Sequence, residues 1–425
     1  MIKRLLSFLD ASPVNFLAVK NLTEELQQHG YHRIDTTEAL GTVKAGDKFF
    51  VTKNDSSIYA FQIGRKALAE TGFHMICAHC DSPTFRIKPH AEIDCEGGIV
   101  KLNTEVYGGP IMSTWFDRPL TLAGRVIVKS KDVMTPTTLL LHVKRPLLQI
   151  SNLAIHFNRQ VNDGVKLSRQ KDVLPILGII NDELEKGNLL MNIILEELNK
   201  QQTVAREDIL DFDLYLADAT PACTFGAHNE LISSGRLDDL SMCFAGLEAL
   251  LASQPTDTTQ VLAIFDNEET GSQTKQGAGS PFLSYAQGGT EEAYYQAVER
   301  AFMISADNAH AWHPNYSEKY APTNHPMLGG GPVIKFNAAQ KYASDAYSAS
   351  VFAGLCKKAG VPCQRFVNHR DVAGGSTLGN ILASSIPLRG VDMGNAILAM
   401  HSCRETGSTA DHEFCVKVFT QFYQE

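Results

Sequence analysis

No run of eighteen apolar residues occurs in this 425-residue chain, so no membrane span is expected. Cationic residues are not in excess. Thirty-eight Lys and Arg stand against 47 Asp and Glu, a formal net charge of -9. That mildly acidic balance argues against nucleic acid as the main partner. No internal repeat or low-complexity tract is present, so a repeat architecture is not indicated. The nine cysteines are scattered and odd in number, which argues against a disulfide framework and for a reducing cytoplasm. The apolar stretch after Lys3 and Arg4 is too short for a signal peptide and is broken by Asp10. A short amphipathic helix is expected there instead.

What is present is enough apolar material, 44%, for a large core. The length suggests two domains, or one domain with a sizeable insertion. Ser12-Pro13 predicts a helix start, with Phe16, Val19, Leu22 and Leu26 on its apolar face and a stop near Gly30. Strands are expected over 48–53, 58–63 and 74–79. From about 90 to 230 the pattern becomes short strands joined by polar turns: 98–102, 120–129, 137–143 and 210–217, with a helix over 189–199. After Gly235, helices (237–251, 292–300, 344–358 and one ending near Tyr423) alternate with apolar strands (260–265, 302–306, 364–368 and 388–393). Such alternation predicts an α/β fold: a mostly parallel central sheet flanked by helices. The expected catalytic domain spans 1–90 and 230–425, interrupted by a β-rich insertion over 91–229.

Chemistry gathers where apolar runs end. Phe265-Asp266-Asn267-Glu268-Glu269-Thr270-Gly271 places two adjacent carboxylates in a strand-end turn. There they can diverge towards two partners, such as a metal and a water. Alone, such a pair is most simply a solvated acidic loop. Its company argues otherwise. His79 ends an apolar run, with Asp81 two residues on, able to orient the imidazole. Asp238 and Asp239 open a helix, where Asp is more often a cap. Asp307 ends Phe302 to Ala306, and His310 and His313 follow it. His401 ends the run from Ala396 to Met400. Ligand sites of open α/β sheets gather at the strands' carboxyl ends. Two histidines with three carboxylates suit a pair of borderline metals such as zinc, with one carboxylate shared and one glutamate left as base. Cys77-Ala78-His79-Cys80 has C-x-x-C spacing. In a strand its two thiols would face opposite ways, which argues against a redox or zinc role for the pair.

Read in order, Ala78 to Pro83, Trp115 to Arg118, Leu153 to His156, Arg236 to Leu240, Phe265 to Ser272, Ser305 to Tyr316, Gly331 to Lys335, Tyr342 to Ser344 and Met400 to Glu405 resemble the aspartyl aminopeptidases. This metallopeptidase family also contains vacuolar aminopeptidase I, and the likeness covers nearly the whole chain. It implies that His79, Asp238 and Asp307 hold one zinc, and that Asp238, Glu269 and His401 hold the other. Asp238 would bridge, Glu268 would be the general base, and Asp81 would orient His79. It implies a substrate pocket with Lys335, Tyr342 and His310, and His156 reaching in from a neighbouring subunit. It further implies an insertion domain that mediates dimerisation within a dodecamer. The chain departs from the family's common pattern at Asp239 (commonly Asn), Asn267 (commonly His), Thr84 (commonly Cys) and around Gly374-Gly375-Ser376-Thr377. None of these is a matched ligand or the base.

The implied activity is release of N-terminal residues from peptides by a metal-activated water. A pair of zinc ions lowers the pKa of water from about 15.7 towards roughly 7, and Glu268 would move its proton. An acidic first residue is expected because Lys335 can pair with it. Cobalt or manganese could replace zinc on such ligands. Two alternatives stand beside this reading. One is another di-zinc amide hydrolase, a deacylase or carboxypeptidase. The other is a catalytically silent assembly or cargo protein, which the retained base and ligands disfavour.

Overall fold

The computed structural model describes residues 1–37, 43–180, 187–280, 290–372 and 374–425. They form two compact units. The first comprises Met1–Asp81, Ala222–Met400 and Glu405–Glu425; the second comprises Ser82–Pro221 and His401–Arg404.

The first unit is built on a nine-stranded sheet. Its order is His32–Arg33, Lys48–Lys53, Ser57–Gln62, Thr259–Phe265, Phe73–His79, Phe302–Ala306, Arg389–Gly394, Val333–Phe336 and Gln364–Val367. The four strands from Thr259–Phe265 to Arg389–Gly394 run parallel. Thr259–Phe265 and Phe302–Ala306 are buried at every residue, as a sheet covered on both faces requires. The mostly parallel sheet with flanking helices expected from the strand–helix alternation is the architecture found.

Helix Leu237–Ala252 is buried along almost its whole length, so it has no polar face to show solvent. It packs close to the sheet. A Cβ on Gly246 would sit 2.6 Å from Leu262 Cδ1, so the absence of a side chain there sets the approach. The helices Ile2–Ala11 and Asn15–Gln28 add Leu5, Leu9, Leu22 and Leu26 to the same core as Leu247 and Phe419.

The second unit holds a six-stranded antiparallel sheet, ordered Thr137–His142, Leu120–Val128, Ile209–Asp218, Thr84–Asp94, Ile99–Tyr107 and Ile176–Ile179. Helix Leu189–Asn199 buries Leu190, Ile194 and Leu198, one residue per turn on a single face. Among the described residues, no helix is long and apolar enough to cross a membrane.

Candidate metal centre

Sheet register brings the acids together. His79 ends its strand opposite Phe265, the last residue of the neighbouring strand. On the other side Ser305 pairs with Cys77. Because these strands are parallel, His79, the Asp266–Glu269 turn and Asp307 all leave the sheet at one edge. The buried helix Leu237–Ala252 supplies Asp238 from its first turn, with non-helical backbone at Asp238 and Asp239.

His79, Asp238 and Asp307 are buried, and one donor atom from each lies within 4.8 Å of the others. One donor atom from each of His79 and the half-buried Glu268 and Glu269 likewise lies within 4.8 Å of the others. His79 Nε2 is 3.7 Å from Asp238 Oδ1. On the ring's other side, Nδ1 lies 3.0 Å from the Asp81 main-chain oxygen and 3.4 Å from Asp81 Oδ1. Two acceptors there call for a proton on Nδ1, which turns the Nε2 lone pair towards Asp238.

The surrounding carboxylates make a strongly negative interior. Burial by itself would lower the His79 pKa. The hydrogen bond to Asp81 and the charges of Asp239, Glu268 and Asp81 lift it well above 6.5. Burial lifts Glu268 from 4.5 to about 9, with the charges of Asp307, Glu269 and Asp81 adding to the effect. Burial likewise raises Asp239, helped by Asp238 and Asp307. Buried carboxylates need compensation, and a field that favours a proton on His79 also favours a cation among these donors. Imidazole nitrogen and carboxylate oxygen suit zinc and its neighbours. The donor set therefore fits a divalent metal.

Supporting groups that the sequence did not single out hold this set in place. Asn308 Nδ2 donates to the Leu237 carbonyl at 2.7 Å, Ser241 Oγ at 3.0 Å and Asp239 Oδ1 at 3.3 Å. The His79 main-chain N–H donates to the other Asp239 oxygen at 3.2 Å. Both Asp239 oxygens thus accept hydrogen bonds from the strand and loop behind the donors. Glu405 Oε2 accepts the Asp238 N–H at 3.1 Å. Their only sequence signal was adjacency: Asn308 follows Asp307, and Glu405 closes the Met400–Glu405 motif.

The remaining expected residues are placed as follows. Lys335 is buried, and its Nζ donates to Asp307 Oδ1 and to the Asn308 carbonyl, both at 3.0 Å. Burial would lower its pKa, but the Asp307 charge raises it overall. The Tyr342 ring lies 5.5 Å from that ammonium. His310 is exposed and meets Phe366 edge-on, with ring centroids 6.0 Å apart. His156 lies in the second unit, in the exposed turn Ile155–Phe157. His401 belongs to the second unit as well, and its Nδ1 is 3.2 Å from the Gly109 carbonyl oxygen.

Residues 8–423 match the family described as aminopeptidase I zinc metalloprotease (M18). A protein of Clostridium acetobutylicum named probable M18 family aminopeptidase 2 is 50% identical, covering 99% of this chain and 98% of its own. A protein of the same name from Stutzerimonas stutzeri is 41% identical, covering 99% and 97%. Among solved structures, a chain of the Ape4 and Nbr1 complex superposes with a TM-score of 0.95 at 36% identity, covering 99% of this chain and 85% of that one. An M18 aminopeptidase from Thermotoga maritima shares the fold, with a TM-score of 0.86 at 24% identity, covering 100% and 95%.

Proposed function

The chain belongs to the M18 family of zinc aminopeptidases, and from that premise we propose that it removes residues one at a time from the free N-terminus of peptides, with a preference for Asp or Glu. The observation that carries this reading is the convergence of buried His79, Asp238 and Asp307 beside the Glu268–Glu269 turn. In it, His79, Asp238 and Asp307 would hold one zinc, while Asp238, Glu269 and His401 would hold a second. Bound zinc would supply Lewis acidity to the scissile carbonyl and to the attacking water.

The chain's own groups do the rest. Glu268, which a bound cation would hold ionised despite its raised pKa in the metal-free site, accepts a proton from the water and returns it to the leaving amine. Asp81 keeps the proton of His79 on Nδ1. A Lys ammonium has three donors, and Asp307 and Asn308 take two from Lys335. A substrate side-chain carboxylate would take the third, beside Tyr342 and His310. The second unit would serve dimerisation, with His156 reaching a neighbouring copy's pocket. The solved mApe1 of S. cerevesiae is a dodecamer, and an assembly of that kind built from dimers is proposed here. Cytoplasmic action completes the reading, on the odd cysteine count.

The test is turnover of matched free-amine and N-acetylated dipeptides by metal-stripped protein refilled with zinc, cobalt or manganese. Only the free-amine substrates should be cleaved, and only after refilling. Equal cleavage of the acetylated set would point to a deacylase or other amide hydrolase instead.

A further inference from the structure

The Met400–Glu405 motif contains more than a histidine. Its middle four residues, His401–Arg404, belong to the second unit, and bonds within that unit fix them. The His401 carbonyl accepts the Ile111 N–H at 2.9 Å. The Cys403 N–H donates to Thr114 Oγ1 at 2.9 Å, and the Cys403 side chain is buried in the unit's apolar core. Arg404 is held by acceptors of the same unit. Its Nη1 donates to Asp218 Oδ2 at 3.0 Å and to the Thr220 carbonyl at 2.9 Å, and its Nη2 donates to the Pro221 carbonyl at 2.9 Å. The Asp218 side chain is only 2% exposed, and the same Oδ2 also accepts Arg118 Nη2 at 2.8 Å.

His401 needs such support. Its φ is +67°, a left-handed conformation disfavoured for a residue with a Cβ unless its surroundings impose it. With Nδ1 directed at the Gly109 carbonyl, the ring keeps Nε2 as its lone-pair nitrogen. A ligand histidine depends on groups of this kind for its orientation.

We propose that Asp218, acting through Arg404, is a positioning pair for His401. The clamp holds the His401–Arg404 backbone in the one conformation that presents Nε2 as a metal ligand. This rests on the reading of His401 as a ligand given above. Arg118 provides an internal control, because it shares the Asp218 carboxylate but carries no part of the His401 segment.

The experiment is zinc titration of the full chain against a chromophoric chelator, with the cobalt absorption spectrum as a second readout of ligand geometry. His401→Ala should lose one of the two ions. Arg404→Gln should weaken that same ion on the order of ten- to a hundredfold and perturb the cobalt bands, while the other ion binds as in the parent. Arg404→Lys, which keeps the charge at Asp218, should recover part of the loss. Arg118→Gln should leave both affinities unchanged. If Arg404→Gln does not fold, Thr114→Val removes the acceptor of the Cys403 N–H and should weaken the same ion by a smaller factor. The clamp is overturned if folded Arg404→Gln binds both ions as the parent does, or if Arg118→Gln weakens one ion equally. A parent that binds a single ion, or a His401→Ala variant that keeps both, would overturn the ligand reading as well, so the two failures are told apart.

Discussion

Asp81 Oδ1 accepts the backbone N–H of Glu268 at 3.0 Å. Its other oxygen accepts the N–H of Glu269 at 3.1 Å, and the His79 ring lies against the same residue. One buried carboxylate thus sets both the turn that carries the glutamates and the histidine opposite them. Asp81→Asn would place an amide donor against one of those N–H groups. Activity or zinc affinity should fall on the order of ten- to a hundredfold. Glu268→Gln should act differently: kcat falls by roughly a hundred- to ten-thousandfold while the zinc content stays at the parent level. Metal analysis beside steady-state kinetics separates the two. Unchanged turnover in Glu268→Gln would remove it as the base.

Lys335 is bonded to Asp307 while also being the proposed partner of an acidic substrate. Lys335→Met therefore has two readouts. The ratio of Asp-peptide to Leu-peptide turnover should fall, and zinc should be held at least as tightly, because the ammonium no longer competes with the metal for Asp307. A constant ratio would leave Lys335 only its role at Asp307.

Gly394 ends the strand Arg389–Gly394, and a Cβ there would collide with the Asp307 carbonyl. Gly394→Ala must push Asp307 away from His79 or distort the strand. A loss of stability of about 1–3 kcal/mol is expected from the overpacking, with weakened zinc binding alongside it. Urea denaturation of the metal-free protein measures the first, and chelator competition measures the second. Parent-like values in both would mean that the loop moves freely.

His74 carries a pH dependence. Its half-buried ring stacks on Phe422 with centroids 4.6 Å apart, and burial holds its pKa below 6.5. Below that value the unfolded chain binds more protons at this site than the native chain does. The contribution is therefore fully present above about pH 6.5 and is lost as the pH falls. His74→Phe should reduce the drop in unfolding free energy between about pH 7.5 and about pH 5.5 relative to the parent. An identical drop in both proteins would contradict the assignment.

Much of the local structure was legible in the sequence. The strands Lys48–Lys53 and Phe302–Ala306 and the helix Leu189–Asn199 have the bounds expected from the sequence pattern. The strand Thr84–Asp94 was not legible. Its alternation at Phe85 and Ile87 breaks at Pro89, and pairing with Ile99–Tyr107 shifts register between Ile87 and Glu92. The strand Val333–Phe336 was visible only as part of a motif, because four residues after Gly331-Pro332 carry too little periodicity.

The sequence by itself determined the donor types, their order along the chain and the family they resemble, because those are written in residue identity and spacing. The tertiary structure alone decided their relationships. The register that sets His79 opposite Phe265, the Asp81 carboxylate shared by two amides, and the Glu405 oxygen on the Asp238 N–H join residues that are up to 188 positions apart. Local periodicity reports which face a residue takes. It carries no information about which distant backbone N–H a buried carboxylate must satisfy, and that is settled only when the strands pair and the core excludes water.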